Sequence, residues 1–154
     1  MKVLGLDLGS RATGYALLEA RPDGPVLVDS GVMRPKGADF EKRMLEVARG
    51  VDALLERLSP EAVAIEKPVY VRNPRVAIQL SALYGAVYSR CVYAGFPVFA
   101  YEPSTVKKAV TSSGAASKEQ VIRLVRAVFG ETLPQDAADA AACALCHLHR
   151  APLE

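Results

Sequence analysis

The first twenty residues read MKVLGLDLGSRATGYALLEA and place an aspartate, Asp7, inside an apolar stretch with the pattern of a β-strand. Glycines stand on both sides of this aspartate, at Gly5 and Gly9. A carboxylate that is removed from water needs a cation or strong hydrogen-bond donors as partners, because its desolvation is costly. The segment therefore predicts a strand near the middle of a sheet, with a carboxylate that serves a functional site.

The length and composition favour one folded domain. The chain has 154 residues, 51% of them hydrophobic, which suffices for a substantial core. The formal charge of +2 says little about nucleic acid by itself, although acids that hold metal ions would leave a more basic surface. No apolar stretch could span a bilayer and no secretion-type leader is visible, so we expect a cytoplasmic protein without a membrane partner.

The three cysteines do not indicate a disulfide framework, because the chain shows no secretion signal. Residues Cys143 to His147 read CALCH, which matches the C-x-x-C-H string of haem attachment. The string lies in an alanine-rich helical segment, where cysteine usually behaves as a small apolar residue. We therefore expect structural thiols, with a haem or zinc site as the alternative.

The order of the predicted elements is typical of an α/β fold. Residues 2–9, 13–20 and 25–33 read as strands joined by short turns that contain glycine or proline, which indicates an antiparallel meander. The remaining predicted elements are, in order, helix 39–58, strand 62–66, helix 74–94, strand 97–101 and helices 103–110, 117–129 and from 134 onwards. This order predicts a mixed five-stranded sheet, with three antiparallel strands followed by parallel strands and with flanking helices.

Four carboxylates occupy positions where they could meet. Asp7 lies in the first strand and Glu66 closes the fourth, so their side chains emerge together if the strands are neighbours and the two residues share a face. Asp136 and Asp139 are three residues apart at a helix start, where they share a face and the helix dipole stabilises negative charge. The alanines around them would let this helix lie close to the sheet.

Converging carboxylates repel one another and raise one another's pKa unless cations neutralise them. Oxygen ligands without histidine or cysteine favour Mg²⁺ or Mn²⁺. Two such ions, roughly 3.5–4 Å apart, form the clamp used for in-line hydrolysis of phosphodiesters. A single acid of this kind is more often a turn or helix-cap residue, but the joint occurrence of all four predicts a metal-dependent catalytic site.

Four stretches together resemble the RuvC family of Holliday junction resolvases, in the order and spacing of that family: GLDLGSRATGYALLE, AIEKPVYVRN, VKKAVTSSGAASKEQV and PQDAADAAACA. The resemblance implies a ribonuclease H-like fold and a homodimer that nicks two strands of like polarity across a four-way DNA junction, in recombination and repair. It implies two Mg²⁺ or Mn²⁺ ions per active site and a branch-migration helicase complex as a partner. The catalytic and metal-binding residues carried over by position are Asp7, Glu66, Asp136 and Asp139.

The resemblance also implies contacts of Lys107 and Lys118 with the DNA backbone. Other basic residues follow strand ends, where they could bind phosphates, although ordinary surface charge is the alternative. Family members often present a phenylalanine at the position of Val69, and here Tyr70 stands next to it, either to stack on a base or to pack against the sheet. The predicted DNA-binding residues are Tyr70, Arg72, Arg75, Lys107, Lys108 and Lys118.

The segment between Arg75 and Arg90 contains no charged residue. A helix that is apolar nearly all round is buried on two sides, so one side would cover the sheet and the other would need a partner. The small residues Ala82, Gly85 and Ala86 would allow close approach of a second copy, and two-fold symmetry suits a junction with two equivalent strands. We expect a homodimer interface that includes Leu80, Leu83 and Val87.

Three alternatives stay open at this point. The stretch LDLGSRATGYA also looks like the first phosphate loop of actin-like ATPases and sugar kinases, although no second loop of that kind follows. A YqgF-type RNA-processing nuclease of the same fold would share Asp7 and a late acid, but should lack the uncharged helix and the spacing of Lys107 and Lys118. A binding module without activity would have no need of all four acids.

Overall fold

The computed structural model describes residues 1–69 and 72–150. Within these residues, five strands and five helices follow the predicted order. The strands are β1 (Lys2–Asp7), β2 (Thr13–Arg21), β3 (Gly24–Met33), β4 (Ala62–Glu66) and β5 (Val98–Tyr101). The helices are α1 (Phe40–Leu58), α2 (Pro74–Tyr93), α3 (Pro103–Thr111), α4 (Lys118–Phe129) and α5 (Gln135–Arg150).

The strands form one mixed sheet in the order β3-β2-β1-β4-β5. The pairs β1–β2 and β2–β3 are antiparallel, because short turns join them. The pairs β1–β4 and β4–β5 are parallel, because a helix connects each strand to the next. The predicted ribonuclease H-like arrangement is confirmed, with β1 as the central strand and its carboxyl end beside that of β4.

Helices cover both faces of the sheet, so alternate strand residues enter two different cores. On one face, Leu4 and Leu6 of β1 and Val63 of β4 pack with side chains of α1 and α2. On the other face, Val3 of β1 and Ala64 of β4 pack with α3, α4 and α5. This alternation places Asp7 and Glu66, at the ends of their strands, on the face that α5 covers.

Helix α5 lies unusually close to the sheet because small residues line both sides of the contact. Six of its alanines are buried: Ala137, Ala138, Ala140, Ala141, Ala142 and Ala144. On the sheet side, a β carbon at Gly5 would overlap the carbonyl oxygen of Ala140, and one at Gly14 would overlap that of Asp136. A glycine inside a strand often marks such a close backbone approach.

Helix α2 packs on its own domain with a different face from the one expected. Leu83 and Val87 are 0% exposed and lie in the core between α1, α2 and the sheet. The prediction that they contact a partner is therefore wrong, since the domain itself covers both side chains. The opposite face of α2 is open. It carries Ile78, which is 69% exposed, and the exposed residues Ala82, Gly85, Ser89 and Val92.

The CALCH segment belongs to the core. Cys143 and Cys146 are buried and unpaired within α5. His147 is also buried, and its Nδ1 atom lies 2.5 Å from the hydroxyl oxygen of Tyr101. His147 thus contacts β5, and the two cysteines are buried in the core, as expected of structural thiols.

In the two described stretches of the chain, no helix has both the length and the apolar composition needed to cross a membrane. The cytoplasmic location stays a prediction from the sequence.

Candidate active site

Two carboxylates of the site come from the ends of neighbouring parallel strands. β1 and β4 pair in register through Leu6 and Ile65, so Asp7 and Glu66 are the next residues along each strand. Both belong to the strand positions that face α5, and the two side chains are half-buried. The sequence-based expectation that they would emerge together on one face is confirmed.

The other two carboxylates come from the first turns of α5. A carboxylate oxygen from each of Asp7, Asp136 and Asp139 lies within 4.8 Å of the other two. Glu66 lines the same cavity as Asp7 and Asp139. The structure therefore gathers all four predicted acids at one edge of the sheet, three of them in a tight cluster and Glu66 beside it.

The crowding of these acids changes their protonation. The pKa of Asp7 is raised to about 8, first by burial and then by the charges of Asp139 and Asp136, against an opposing effect of Lys118. Burial and then Asp139 also raise the pKa of Glu66. Burial raises the pKa of Asp139 as well, although Lys118 holds it down. Without a cation, Asp7 therefore retains a proton near neutral pH.

One lysine of α4 compensates part of the negative charge. The Nζ atom of Lys118 lies 3.2 Å from a carboxylate oxygen of Asp139. Lys118 is the first residue of α4, and a reciprocal capping box between Ser117 and Gln120 fixes the start of this helix. Burial lowers the pKa of Lys118, but the charge and hydrogen bond of Asp139 outweigh this and raise it overall. Lys118 thus stays charged beside the cluster.

Asp7, Glu66 and Asp139 line a cavity of about 390 Å³ at the carboxyl ends of β1 and β4. One part of its wall is charged and contains, besides the acids, Lys67, Lys107 and Lys118. The wall also contains apolar residues, among them Leu8, Pro68, Val69, Leu80 and Tyr84. The cavity therefore combines a place for a phosphate group with a place for an uncharged, hydrophobic one.

The predicted DNA-binding residues are only partly brought to this cavity. Lys107 and Lys118 line it, and the charge of Lys107 acts on Glu66. Lys108 is exposed and lies outside the cavity wall. Arg72 and Arg75 are exposed around the start of α2, where Asn73 accepts a hydrogen bond from the backbone N–H of Arg75 at 3.0 Å. Tyr70 lies outside the described residues.

Several residues of the site were not found from the sequence. Leu80 was expected at a dimer interface, but it lines the cavity together with Tyr84. Lys67 also lines the cavity, and its ammonium lies 3.2 Å from a carboxylate oxygen of Glu102. The close approach of α5 over Gly5 and Gly14 had a signal in the sequence, because both glycines interrupt apolar strands.

The fold and the site together define a ribonuclease H-like nuclease with a carboxylate centre suited to divalent cations. A family model described as Crossover junction endodeoxyribonuclease RuvC matches residues 3–147. The chain belongs to this family.

Individual relatives agree with the family model over nearly the whole chain. A protein of Trichlorobacter lovleyi named Crossover junction endodeoxyribonuclease RuvC is 41% identical over 152 residues, which are 97% of this chain and 85% of that protein. The structure of Thermus thermophilus RuvC covers 96% of this chain and 93% of its own, with a TM-score of 0.84 at 32% identity. A second structure of that protein, in complex with a Holliday junction substrate, has the same coverage with a TM-score of 0.83 at 30% identity.

Proposed function

We propose that this chain is a divalent-cation-dependent endonuclease that resolves four-way DNA junctions by paired, symmetric nicks in homologous recombination and DNA repair. The observation that carries the proposal is the cluster of Asp7, Asp136 and Asp139 beside a cavity that Asp7, Asp139 and Glu66 line, in a RuvC-family fold. The Thermus thermophilus relative, 30% identical, has been solved with a Holliday junction substrate. The family match favours this function over the ATPase and RNA-nuclease alternatives.

The donor set fits divalent cations of the magnesium class. Three carboxylates offer oxygen atoms within 4.8 Å of one another, and no histidine or cysteine belongs to this group. The pKa of Asp7, raised to about 8 by burial and neighbouring acids, indicates an excess of negative charge that a cation would relieve. We assign Asp7, Asp136, Asp139 and Glu66 as ligands of two Mg²⁺ or Mn²⁺ ions. When bound, such a pair supplies an activated water and neutralises the charge that develops around the phosphorus.

The lysines of the cavity bind and orient the substrate in this proposal. Lys107 projects from α3 and Lys118 from α4, on the side of the cavity where a phosphate would face the acids. Charge-assisted hydrogen bonds from ammonium groups to phosphate oxygens are strong but do not distinguish bases. Lys118 also holds down the pKa of Asp139 through their ion pair, against the effect of burial. Arg72 and Arg75 extend the basic surface beside the cavity, and they would bind the adjoining backbone.

Paired nicking needs two active sites, and the open face of α2 supports a homodimer. Along this face, Ile78, Ala82, Gly85, Ser89 and Val92 recur at three- and four-residue steps, so they form one stripe. A β carbon added at Gly85 would meet no atom within 4 Å, which shows how open this part of the helix is. We propose that a second copy covers this stripe. A helicase complex as a further partner stays a prediction.

Cleavage of a labelled synthetic four-way junction tests the proposal, with linear duplex DNA and single-stranded RNA as competing substrates. We expect paired nicks in the junction only, and only with Mg²⁺ or Mn²⁺. Asp7→Asn should abolish nicking and preserve junction binding, because it removes a ligand and one repulsive charge. Asp23→Asn, at an exposed turn between β2 and β3, is the matched control and should cleave like the wild type. Cleavage of RNA in preference to the junction, or equal cleavage by Asp7→Asn, would refute the proposal.

A further inference from the structure

The cavity wall contains more apolar surface than phosphodiester chemistry needs. Three acids and three lysines of the wall account for a phosphate and its cations. Leu80 and Tyr84 of α2 line the same cavity, together with Pro68 and Val69. An apolar wall beside a phosphate site fits the neighbours of that phosphate along a nucleic acid strand, which are a deoxyribose and the flat face of a base.

Leu80 and Tyr84 form one surface that the packing of helix α2 holds in place. They are four residues apart on the 20-residue helix α2, so their side chains lie one above the other on one face. The Tyr84 ring is half-buried against the core of α1, α2 and the sheet. Tyr88 supports it from the next turn, with ring centroids 5.7 Å apart at an angle of 54°. A ring held in this way loses little freedom when a ligand stacks on it.

We propose that Tyr84 and Leu80 bind the base of a nucleotide next to the scissile phosphate, and that Tyr84 thereby determines which DNA structures are cut. This inference rests on the proposed endonuclease function and adds a specificity-determining surface to it. A base in continuous duplex is stacked between its neighbours and cannot lie on the wall of a cleft. A base at a strand exchange is easily unstacked, so occupation of this wall selects junctions over linear duplex.

The substitution Tyr84→Ala removes the stacking surface. Stacking of one base on an aromatic ring, as judged by alanine substitution, corresponds to a loss of about 5- to 150-fold. We expect a loss of this size in kcat/KM for junction cleavage, measured in single turnovers at saturating Mg²⁺ and subsaturating enzyme, because a contact already made in the bound complex does not change the rate at saturating enzyme. Tyr84→Phe should stay within about twofold of the wild type, because the ring face is retained. Tyr84→Leu, which keeps apolar bulk and helix propensity, should resemble Tyr84→Ala.

Tyr93→Ala is the matched control, because Tyr93 ends the same helix, is 93% exposed and does not line the cavity. All variants are compared at a concentration where the wild type is fully assembled, and their thermal unfolding midpoints are measured. Tyr93→Ala should cleave at the wild-type rate. A folded Tyr84→Ala and a folded Tyr84→Leu that both cleave as fast as the wild type would overturn the inference.

A modified substrate separates base binding from a structural role of Tyr84. Junctions are prepared with an abasic site on either side of the scissile phosphate. At the position that Tyr84 contacts, removal of the base should slow cleavage by the wild type by about the same factor as the substitution Tyr84→Ala does. The same abasic site should not slow cleavage by the Tyr84→Ala variant any further. If the effect of the abasic site and the effect of Tyr84→Ala multiply at both positions, Tyr84 does not contact either base.

The outcome for the wild type distinguishes this inference from the proposed function. A wild type that cleaves junctions, with Tyr84→Ala equal to it, overturns only the role of Tyr84. A wild type that cleaves no junction overturns the proposed function and this inference with it. As a readout without cleavage, 2-aminopurine at the contacted position should be quenched on binding to Asp7→Asn, and the quenching should be lost in Asp7→Asn/Tyr84→Ala.

Discussion

Gly14 of β2 lies against the carbonyl oxygen of Asp136, so closely that a β carbon on Gly14 would overlap that oxygen atom. Gly5 of β1 has the same relationship with the carbonyl oxygen of Ala140, one turn further along α5. The two glycines therefore set the distance between helix and sheet. That distance also sets how closely the carboxylates of Asp136 and Asp139 approach Asp7.

The first prediction concerns this contact. Gly14→Ala should push the start of α5 away from β2, because the overlapping atom belongs to the backbone and cannot rotate aside. Overpacking of this kind costs about 1–3 kcal/mol of unfolding free energy, and a misplacement near 1 Å at a catalytic site can cost about 100-fold in rate. We expect a folded variant with a lower thermal midpoint and much slower junction cleavage. Wild-type cleavage by Gly14→Ala would contradict this account of the helix position.

The second prediction is a pH dependence of stability without divalent cations. The pKa of Asp7 in the folded chain is about 8, mainly because of burial, against an ordinary value of 3.8. Between these values the folded chain holds a proton that the unfolded chain has released, so stability falls as pH rises, by up to about 1.4 kcal/mol per pH unit. In a chelating buffer, the unfolding midpoint should decrease from about pH 5 to about pH 8 and change less above that range.

Two comparisons check that Asp7 causes this dependence. Asp7→Asn should flatten the decrease and be more stable than the wild type at high pH, whereas Asp23→Asn should leave the profile unchanged. Added Mg²⁺ should raise the wild-type midpoint most at high pH, because the ion binds the ionised, folded cluster. A wild-type midpoint that rises with pH in chelator would show that the cluster is not protonated as described.

The third prediction concerns the ion pair between Lys118 and Asp139, whose charged atoms are 3.2 Å apart. Lys118→Gln removes the charge that holds down the pKa of Asp139 and of Asp7. Both acids should then bind protons up to a higher pH, so the acidic limb of the cleavage profile at limiting Mg²⁺ should move to higher pH. We expect about tenfold lower activity at pH 7, the loss typical of one charged hydrogen bond. If Lys118→Gln cleaves more slowly but the acidic limb of its pH profile does not move, Lys118 acts in substrate binding and not on the protonation of the acids.

The meeting of the four acids could be predicted in part, because side-chain directions repeat with a fixed period in strands and in helices. Side chains of a strand alternate between faces, so Asp7 and Glu66 could share a face if β1 and β4 were neighbours in the matching register. Asp136 and Asp139 share a helix face because they are three residues apart. What the sequence left open was the pairing of β1 with β4, which depends on contacts between segments far apart in the chain.

The faces of α2 were not predictable in the same way. A helix with apolar residues nearly all round has no polar side to mark the solvent, so its rotation about its own axis is decided by the core that it meets. The large side chains of Leu83 and Val87 fill that core, and the small residue Gly85 faces outwards. Leu83 and Val87 therefore belong to the core of the domain, and an interface on the outward face of α2 stays a prediction.

The fourth prediction tests the outward stripe of α2. Ala82→Arg places a charge on this stripe while keeping a good helix former, so the variant should fold and lose the homodimer, with an association at least about 30-fold weaker. Leu124→Arg is the matched control, because Leu124 is 43% exposed on α4 and lies away from the stripe. Sedimentation of the two purified variants decides the matter. An unchanged assembly in Ala82→Arg would place the interface elsewhere.

The fifth prediction compares two adjacent lysines of α3. Lys107 lines the cavity and its charge lowers the pKa of Glu66, whereas Lys108 is exposed outside the cavity wall. Lys107→Ala should therefore slow single-turnover cleavage by about tenfold or more, because it removes a charged hydrogen bond at the reacting phosphate. Lys108→Ala should leave that rate within about twofold and weaken only junction binding, with a salt dependence reduced by about one phosphate contact. Equal losses of cleavage rate in the two variants would mean that position in the cavity does not decide the role of a lysine here.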